Sequence, residues 1–188
     1  MSAHRLPPLP GQLAIPAQTR TESPCPTPAS LERFNTEPAA DAERALLTCL
    51  RSLRWARRLA DHRPYPDLDS LLAAADEASY DLTPGDLAEA LAAEALPELP
   101  DGAYSAAHTA LSAAHAAYES RFGHAFVIYV DHASPDEALN QVLAGIRSRL
   151  ANEPEEERVV AAEELRRLAK GRLVGLLRGA GNCATSHI

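Results

Sequence analysis

Seven histidines are the side chains of this chain whose charge changes nearest neutral pH, which makes them the first candidates for proton transfer. His108, Leu111, His115, Tyr118 and Phe122 are spaced three, four, three and four apart, a pattern that sets them on one helical stripe. Along such a helix His108 and His115 are two turns, about 10 Å, apart, too far to share one metal ion directly. They are expected as partly buried, hydrogen-bonded members of a helix interface. His124 and His132 bracket the run Phe126 to Val130. If that run is extended, the two histidines stand more than about 20 Å apart and do not form a metal pair. Glu155, Glu156 and Glu157 form an acidic run in what reads as the first turn of a helix. The macrodipole favours negative charge there, so a solvated helix start is expected. The chain has no G-x-x-x-x-G-K-[ST], G-x-G-x-x-G or G-x-S-x-G motif, the common signatures of phosphate cradles, dinucleotide sites and serine hydrolases.

The elements that must position these residues are helical. Thr83 before Pro84 and Asp86 predicts a helix start with a cap, a proline at the first position and an acid facing the dipole. Ser134, Pro135 and Glu137 predict a second start as a capping box, and Asn152, Pro154 and Glu155 a third. Between these starts apolar residues recur at helical spacing, as in Leu46, Cys49, Leu50, Trp55 and Leu59, and again in Leu139, Val142, Leu143 and Ile146. Phe126 to Val130 differs, being β-branched and aromatic and following the helix breaker Gly123. It reads either as a lone extended stretch or as the buried start of another helix. A lone stretch leaves main-chain N–H and C=O groups in need of partners, a natural place for a ligand to dock.

Composition narrows the class. At 188 residues, with 26 Asp and Glu against 18 Lys and Arg, the chain is acidic and long enough for one domain with a core. Without a basic block, nucleic acid and anionic membranes are poor partners. No apolar run reaches the roughly 20 residues that span a bilayer, and a cytoplasmic location is expected. Cys25, Cys49 and Cys183 are widely spaced and odd in number, which indicates neither a disulfide framework nor a zinc ribbon. Residues 1–29 hold seven prolines among small polar residues and are expected to be a disordered tail. A single helical domain is expected over 30–178, with residues 179–188 frayed.

Several segments, taken in order, resemble a known family. They are L-E-R-F-N from Leu31, C-L-R-S-L-R-W from Cys49, H-R-P-Y-P-D from His62, Y-E-S-R-F-G-H-A-F-V-I from Tyr118, R-S-R-L-A-N from Arg147 and E-E-L-R-R-L-A-K-G-R-L from Glu163. Together they resemble 2-oxo-4-hydroxy-4-carboxy-5-ureidoimidazoline (OHCU) decarboxylase over roughly residues 30–177. The resemblance implies an all-α, usually dimeric fold and a reaction, without metal or organic cofactor, that completes the conversion of urate to (S)-allantoin. Loss of CO2 leaves a carbanion that the ring can delocalise. The protein must therefore orient the carboxylate, stabilise developing negative charge and deliver a proton to one face.

By the same resemblance, Arg172 matches the late arginine of the last helix and would hold the substrate's anionic group, while main-chain groups of His124, Ala125, Phe126, Val127 and Ile128 would bind its ring amides. Ser105 matches the serine of a Ser-x-x-Glu-Gln stretch, whose next two positions are here His108 and Thr109. Where the family places a His-Pro pair this chain has Glu94 and Ala95. Glu94 and His108 are thus the candidates for proton transfer, a carboxyl being able to serve if burial raises its pKa toward neutrality. Three readings stay open: a divergent decarboxylase, a related enzyme acting on another ureide or small carboxylate, and a non-catalytic binding module.

Overall fold

Three helix starts carry side-chain caps that satisfy N–H groups otherwise left bare in the first turn. Ser52 accepts from the Trp55 amide at 3.3 Å, Asp67 from Ser70 at 2.7 Å, and Thr83 from Asp86 at 3.2 Å. Asp86 returns the bond to the Thr83 amide at 3.0 Å, completing a capping box over the proline start predicted there. In the computed structural model, residues 28–94, 105–130 and 135–182 are described, with side chains over 30–94, 109–130 and 137–178. Eight helices follow in these residues: α1 (Pro28–Thr36), α2 (Ala39–Cys49), α3 (Leu53–Asp61), α4 (Leu68–Tyr80), α5 (Pro84–Ala92), α6 (Ser105–Phe122), α7 (Pro135–Arg149) and α8 (Pro154–Asn182). No strand occurs among the described residues, and the fold is all-α. The tail expected over 1–29 lies outside the described residues up to 27, α8 continues to Asn182, and Ser134, expected as a cap of α7, also lies outside them.

Apolar spacing on α2, α3, α4 and α8 builds the larger of two cores, with α8 packed against α1, α2 and α4. Trp55 is wholly buried there, and its indole N–H, which needs a partner once out of water, donates to the Ala75 carbonyl at 3.0 Å. Asn35 ties the L-E-R-F-N and H-R-P-Y-P-D segments together. Its side chain donates to the Tyr65 carbonyl at 2.8 Å and accepts from the Tyr65 amide at 2.9 Å. Arg63 lies against the Phe34 ring and donates to the carbonyls of Phe34 and Glu37, closing the end of α1.

The smaller core joins α6 and α7 through Leu111, Tyr118, Phe126, Val142 and Ile146. Phe126 to Val130 runs between the two cores as a non-helical segment with side chains alternating between them. Phe126 and Ile128 lean on α7, where a Cβ on Gly145 would meet them at 3.1 and 3.2 Å. Val127 enters the larger core, and the Tyr129 ring lies against Gly171 of α8. This two-residue alternation is that of an extended chain, which decides the sequence alternative against a helix.

The segment is fixed by a buried charge cluster that the sequence pattern did not reveal. Glu157, expected in a solvated helix start, is 0% exposed, and Arg149 is 7% exposed. Arg149 donates to Glu157 through Nε and Nη2, at 2.8 and 2.5 Å, and through Nη1 to the Val127 carbonyl at 2.6 Å. Tyr118 donates its hydroxyl to the same carboxylate, and Asn152 donates its amide at 2.8 Å. Asn152 thus serves Glu157 rather than capping α8, and only Glu155 and Glu156 of the acidic run lie on the surface. Burial and the Glu157 hydrogen bond both raise the Tyr118 phenol well above its usual pKa, so it remains a donor.

His115 departs from expectation as well. It is 2% exposed, edge-on to Phe126, and neither ring nitrogen has a hydrogen-bond partner among the described residues.

Two outcomes follow from these buried groups. Arg149→Met strands the Glu157 carboxylate and should cost about 3–5 kcal/mol, read from urea unfolding. Burial lowers the His115 pKa below 6.5, against the opposing pull of Glu119. Its contribution to stability is therefore complete above about pH 6.5 and is lost as the pH falls toward the depressed value, because the unfolded chain takes up the proton first. His115→Leu should flatten the loss of melting temperature between pH 6.5 and 5.

Candidate functional site

Glu94 and Arg172, distant in sequence, meet in space. Glu94 follows the C-terminal end of α5, and Arg172 stands on α8 beside the C-terminal end of α2. Arg172 donates from Nη1 to Glu94 Oε1 and from Nη2 to Oε2, each at 2.7 Å, and from Nη1 to the Cys49 carbonyl at 3.2 Å. The last bond satisfies one of the carbonyls that a helix leaves unpaired at its C-terminus. Glu94 is the more enclosed partner, with its side chain 6% exposed against 38% for Arg172. The Glu94 hydrogen bonds raise the Arg172 pKa above its ordinary value, against the opposing effect of burial. Cys49 beside them is buried, and burial raises its thiol, so it is no thiolate nucleophile.

The pair lines a cleft of about 580 Å³ whose other walls are Arg44, Leu47, Thr48, Arg51 and Ala93. Three guanidiniums face one carboxylate there, and Arg44 is paired with Asp41 at 2.8 Å. The lining is cationic although the chain as a whole is acidic. That charge suits a small anion. A second cleft, of about 250 Å³, lies on the side of α5 that carries Leu87, Ala88 and Leu91. His124 lines it with Arg121, Phe122 and Arg158, and its Nδ1 lies 3.0 Å from the Ala125 carbonyl.

The main-chain groups of the segment divide by parity. The Val127 carbonyl accepts from Arg149, and the Tyr129 amide donates to Glu164 at 2.7 Å. In an extended chain the groups of Phe126 and Ile128 point the opposite way, and among the described residues they have no partner. This agrees with the sequence expectation that the segment offers bare backbone.

Of the residues expected from sequence, the structure brings Glu94 and Arg172 together. It does not bring His124 or Ala125 to them, and it sets Phe126, Val127 and Ile128 between the two cores. Ser105 and His108 occupy the first turn of α6, and their side chains lie outside the described residues. Arg44, Thr48 and Arg51 were missed. Their spacing of four and three on α2 and just beyond it marks a polar helical face, but such a face reads as ordinary solvated surface until α8 is seen to open beside it. No group of three or more His, Cys, Asp or Glu among the described residues could hold a metal ion.

The sequence pattern of one protein family, OHCU decarboxylase, matches residues 35–103 and 98–174. The chain belongs to the OHCU decarboxylase family. Ten solved chains are similar to it in structure. A crystal structure of (S)-allantoin synthase is similar at a TM-score of 0.62 and 22% identity, over 78% of this chain and 53% of that one. A crystal structure of OHCU decarboxylase in the presence of (S)-allantoin is similar at a TM-score of 0.60 and 20% identity, over 70% of this chain and 95% of that one. This OHCU decarboxylase family member thus spans about half the length of the synthase chain. No curated protein matches it. No helix among its described residues is long and apolar enough to cross a membrane.

Removing Arg172 leaves the enclosed Glu94 carboxylate without its counter-ion. Arg172→Met is expected to lower stability by about 1–2 kcal/mol, less than for a fully buried pair because Arg172 is partly exposed. Adding Glu94→Leu should restore most of the loss, as read by a double-mutant cycle in urea.

Proposed function

We propose that this family member is a carboxy-lyase that removes CO2 from 2-oxo-4-hydroxy-4-carboxy-5-ureidoimidazoline and yields (S)-allantoin, without a metal or organic cofactor, in urate catabolism. Family membership supports the decarboxylase class. The observation that carries the rest is Arg172, presented to a cationic cleft beside an enclosed carboxylate. Arg172 would orient the substrate's carboxylate, as a guanidinium does through paired N–H donors. The bond between the ring and the carboxylate carbon breaks and CO2 leaves. Its electron pair passes into the ring, where the guanidiniums of Arg44 and Arg51 on the cleft wall would offset the developing negative charge. Glu94, at the position of the family's histidine, would add the proton to one face of the ring, and solvent would return it to the carboxylate. The chain would work in the cytoplasm, as a homodimer by the family resemblance.

A second reading rests on the same pair. Glu94 already fills one carboxylate-binding edge of Arg172, and a site occupied by its own side chain suits a binding module that has lost turnover. Action on another ureide is the third alternative.

The test generates the substrate in situ from urate with urate oxidase and hydroxyisourate hydrolase, and follows allantoin chirality by circular dichroism. Spontaneous decay yields racemate. The decarboxylase reading expects rapid appearance of (S)-allantoin, lowered about 100-fold or more in Arg172→Ala. A progress curve matching spontaneous decay would reject it in favour of the binding module.

A further inference from the structure

Helix α6 ends at Phe122, and Gly123 turns the chain away in the left-handed region, at φ 78°, with its amide donating to the Glu119 carbonyl at 2.8 Å. The turn sets Arg121, Phe122 and His124 together on the lining of the smaller cleft, with Leu87 and Leu91 of α5. The Phe122 and His124 rings stand 6.4 Å apart at 32°, and the Arg121 guanidinium lies 5.3 Å from the Phe122 ring. His124 Nδ1 donates to the Ala125 carbonyl at 3.0 Å, the role open to a ring nitrogen that faces a carbonyl, and this fixes the ring. Arg121 gives one Nη2 hydrogen to the Asn152 carbonyl at 2.8 Å, and its other donors have no partner among the described residues. Arg158 is paired with Glu155 at 2.6 Å, which does not line the cleft. The lining thus carries two guanidiniums and no carboxylate, in a chain of formal charge -8.

We propose that the smaller cleft is a binding site for a small aryl carboxylate, with its ring against Phe122 and the leucines of α5 and its carboxylate on the free donors of Arg121. Size sets the ring count. An apolar cavity of roughly 150 Å³ holds benzene, so a cleft of about 250 Å³ takes one ring with a short acidic arm. Phe122 and His124 favour an aromatic body over an alkyl one, because two ring walls offer both faces and edges to a third ring. A guanidinium without an internal carboxylate favours an anionic end, through charge-assisted hydrogen bonds. The site is separate from the larger cleft. Arg158 and Arg172, one lining each, both stand on α8, fourteen residues and roughly 21 Å apart along its axis. The inference is therefore independent of the reaction proposed for the larger cleft.

Phenylacetate titrated into the full chain and followed by proton–nitrogen correlation NMR tests the site. The expected result is saturable binding with a dissociation constant of about 1 mM or below, as suits a ligand of about ten heavy atoms. The largest shifts should fall on the amides of Leu87, Ala88, Phe122, Gly123 and His124. Phenylacetamide has the ring without the charge and acetate the charge without the ring; each should bind at least about tenfold more weakly. Arg121→Gln should weaken phenylacetate by the same factor. Ala88→Phe, at an exposed position of the lining, should block the cleft and abolish binding with Arg121 intact. The spectra of both variants without ligand report that the fold is kept. No saturation at about 10 mM phenylacetate, some ten times the expected constant, would overturn the inference. Equal binding of phenylacetamide, undiminished binding to Arg121→Gln or Ala88→Phe, or shifts centred on Thr48 and Arg51 of the larger cleft would each do the same.

Discussion

The buried ion pair between Arg149 and Glu157 is the interaction on which the arrangement of this chain turns. Two charges out of water are tolerable only when each is fully hydrogen-bonded, and here α6 supplies a tyrosine, the α7–α8 turn an asparagine and the segment between the cores a carbonyl. Each contributor is thereby fixed relative to the others. A segment with no ladder partner would otherwise have no reason to hold one register, and Arg149 and Glu164 give it one from the same side. The Phe126 and Ile128 main chain on its opposite side has no hydrogen-bond partner among the described residues, a consequence of where those two anchors stand.

Much of the helical framework was legible in the sequence because local rules dominate it. The Thr83 capping box and the proline starts at 84, 135 and 154 all depend on residues within one turn of each other. The alternating segment was legible only as an alternative, since five apolar residues suit a buried strand and a buried helix equally well. Glu157 was misread because an acidic first turn is ordinarily solvated, and its partners lie 8 and 39 residues away in sequence. His115 was placed correctly on a buried stripe but given a hydrogen-bond partner that the described residues do not supply.

The site shows a different kind of gap. Arg172 and Glu94 were each singled out from the resemblance, as separate parts of a mechanism, and their separation of 78 residues hides that they touch. Once joined, they change each other's chemistry. An arginine holding an internal carboxylate is only partly available to a ligand. The larger cleft is consequently defined by this pair together with the guanidiniums of Arg44 and Arg51 on its wall.

The Arg149 cluster and the Arg172 pair share no residue and no hydrogen-bond partner. Tyr118, Arg149 and Asn152, which belong to the segments most recognisable in the sequence, all serve the first. Three of the side chains in the segments that carry the family resemblance are thus given over to holding the scaffold together. A side chain exchanged in the larger cleft would leave every hydrogen bond of that frame in place.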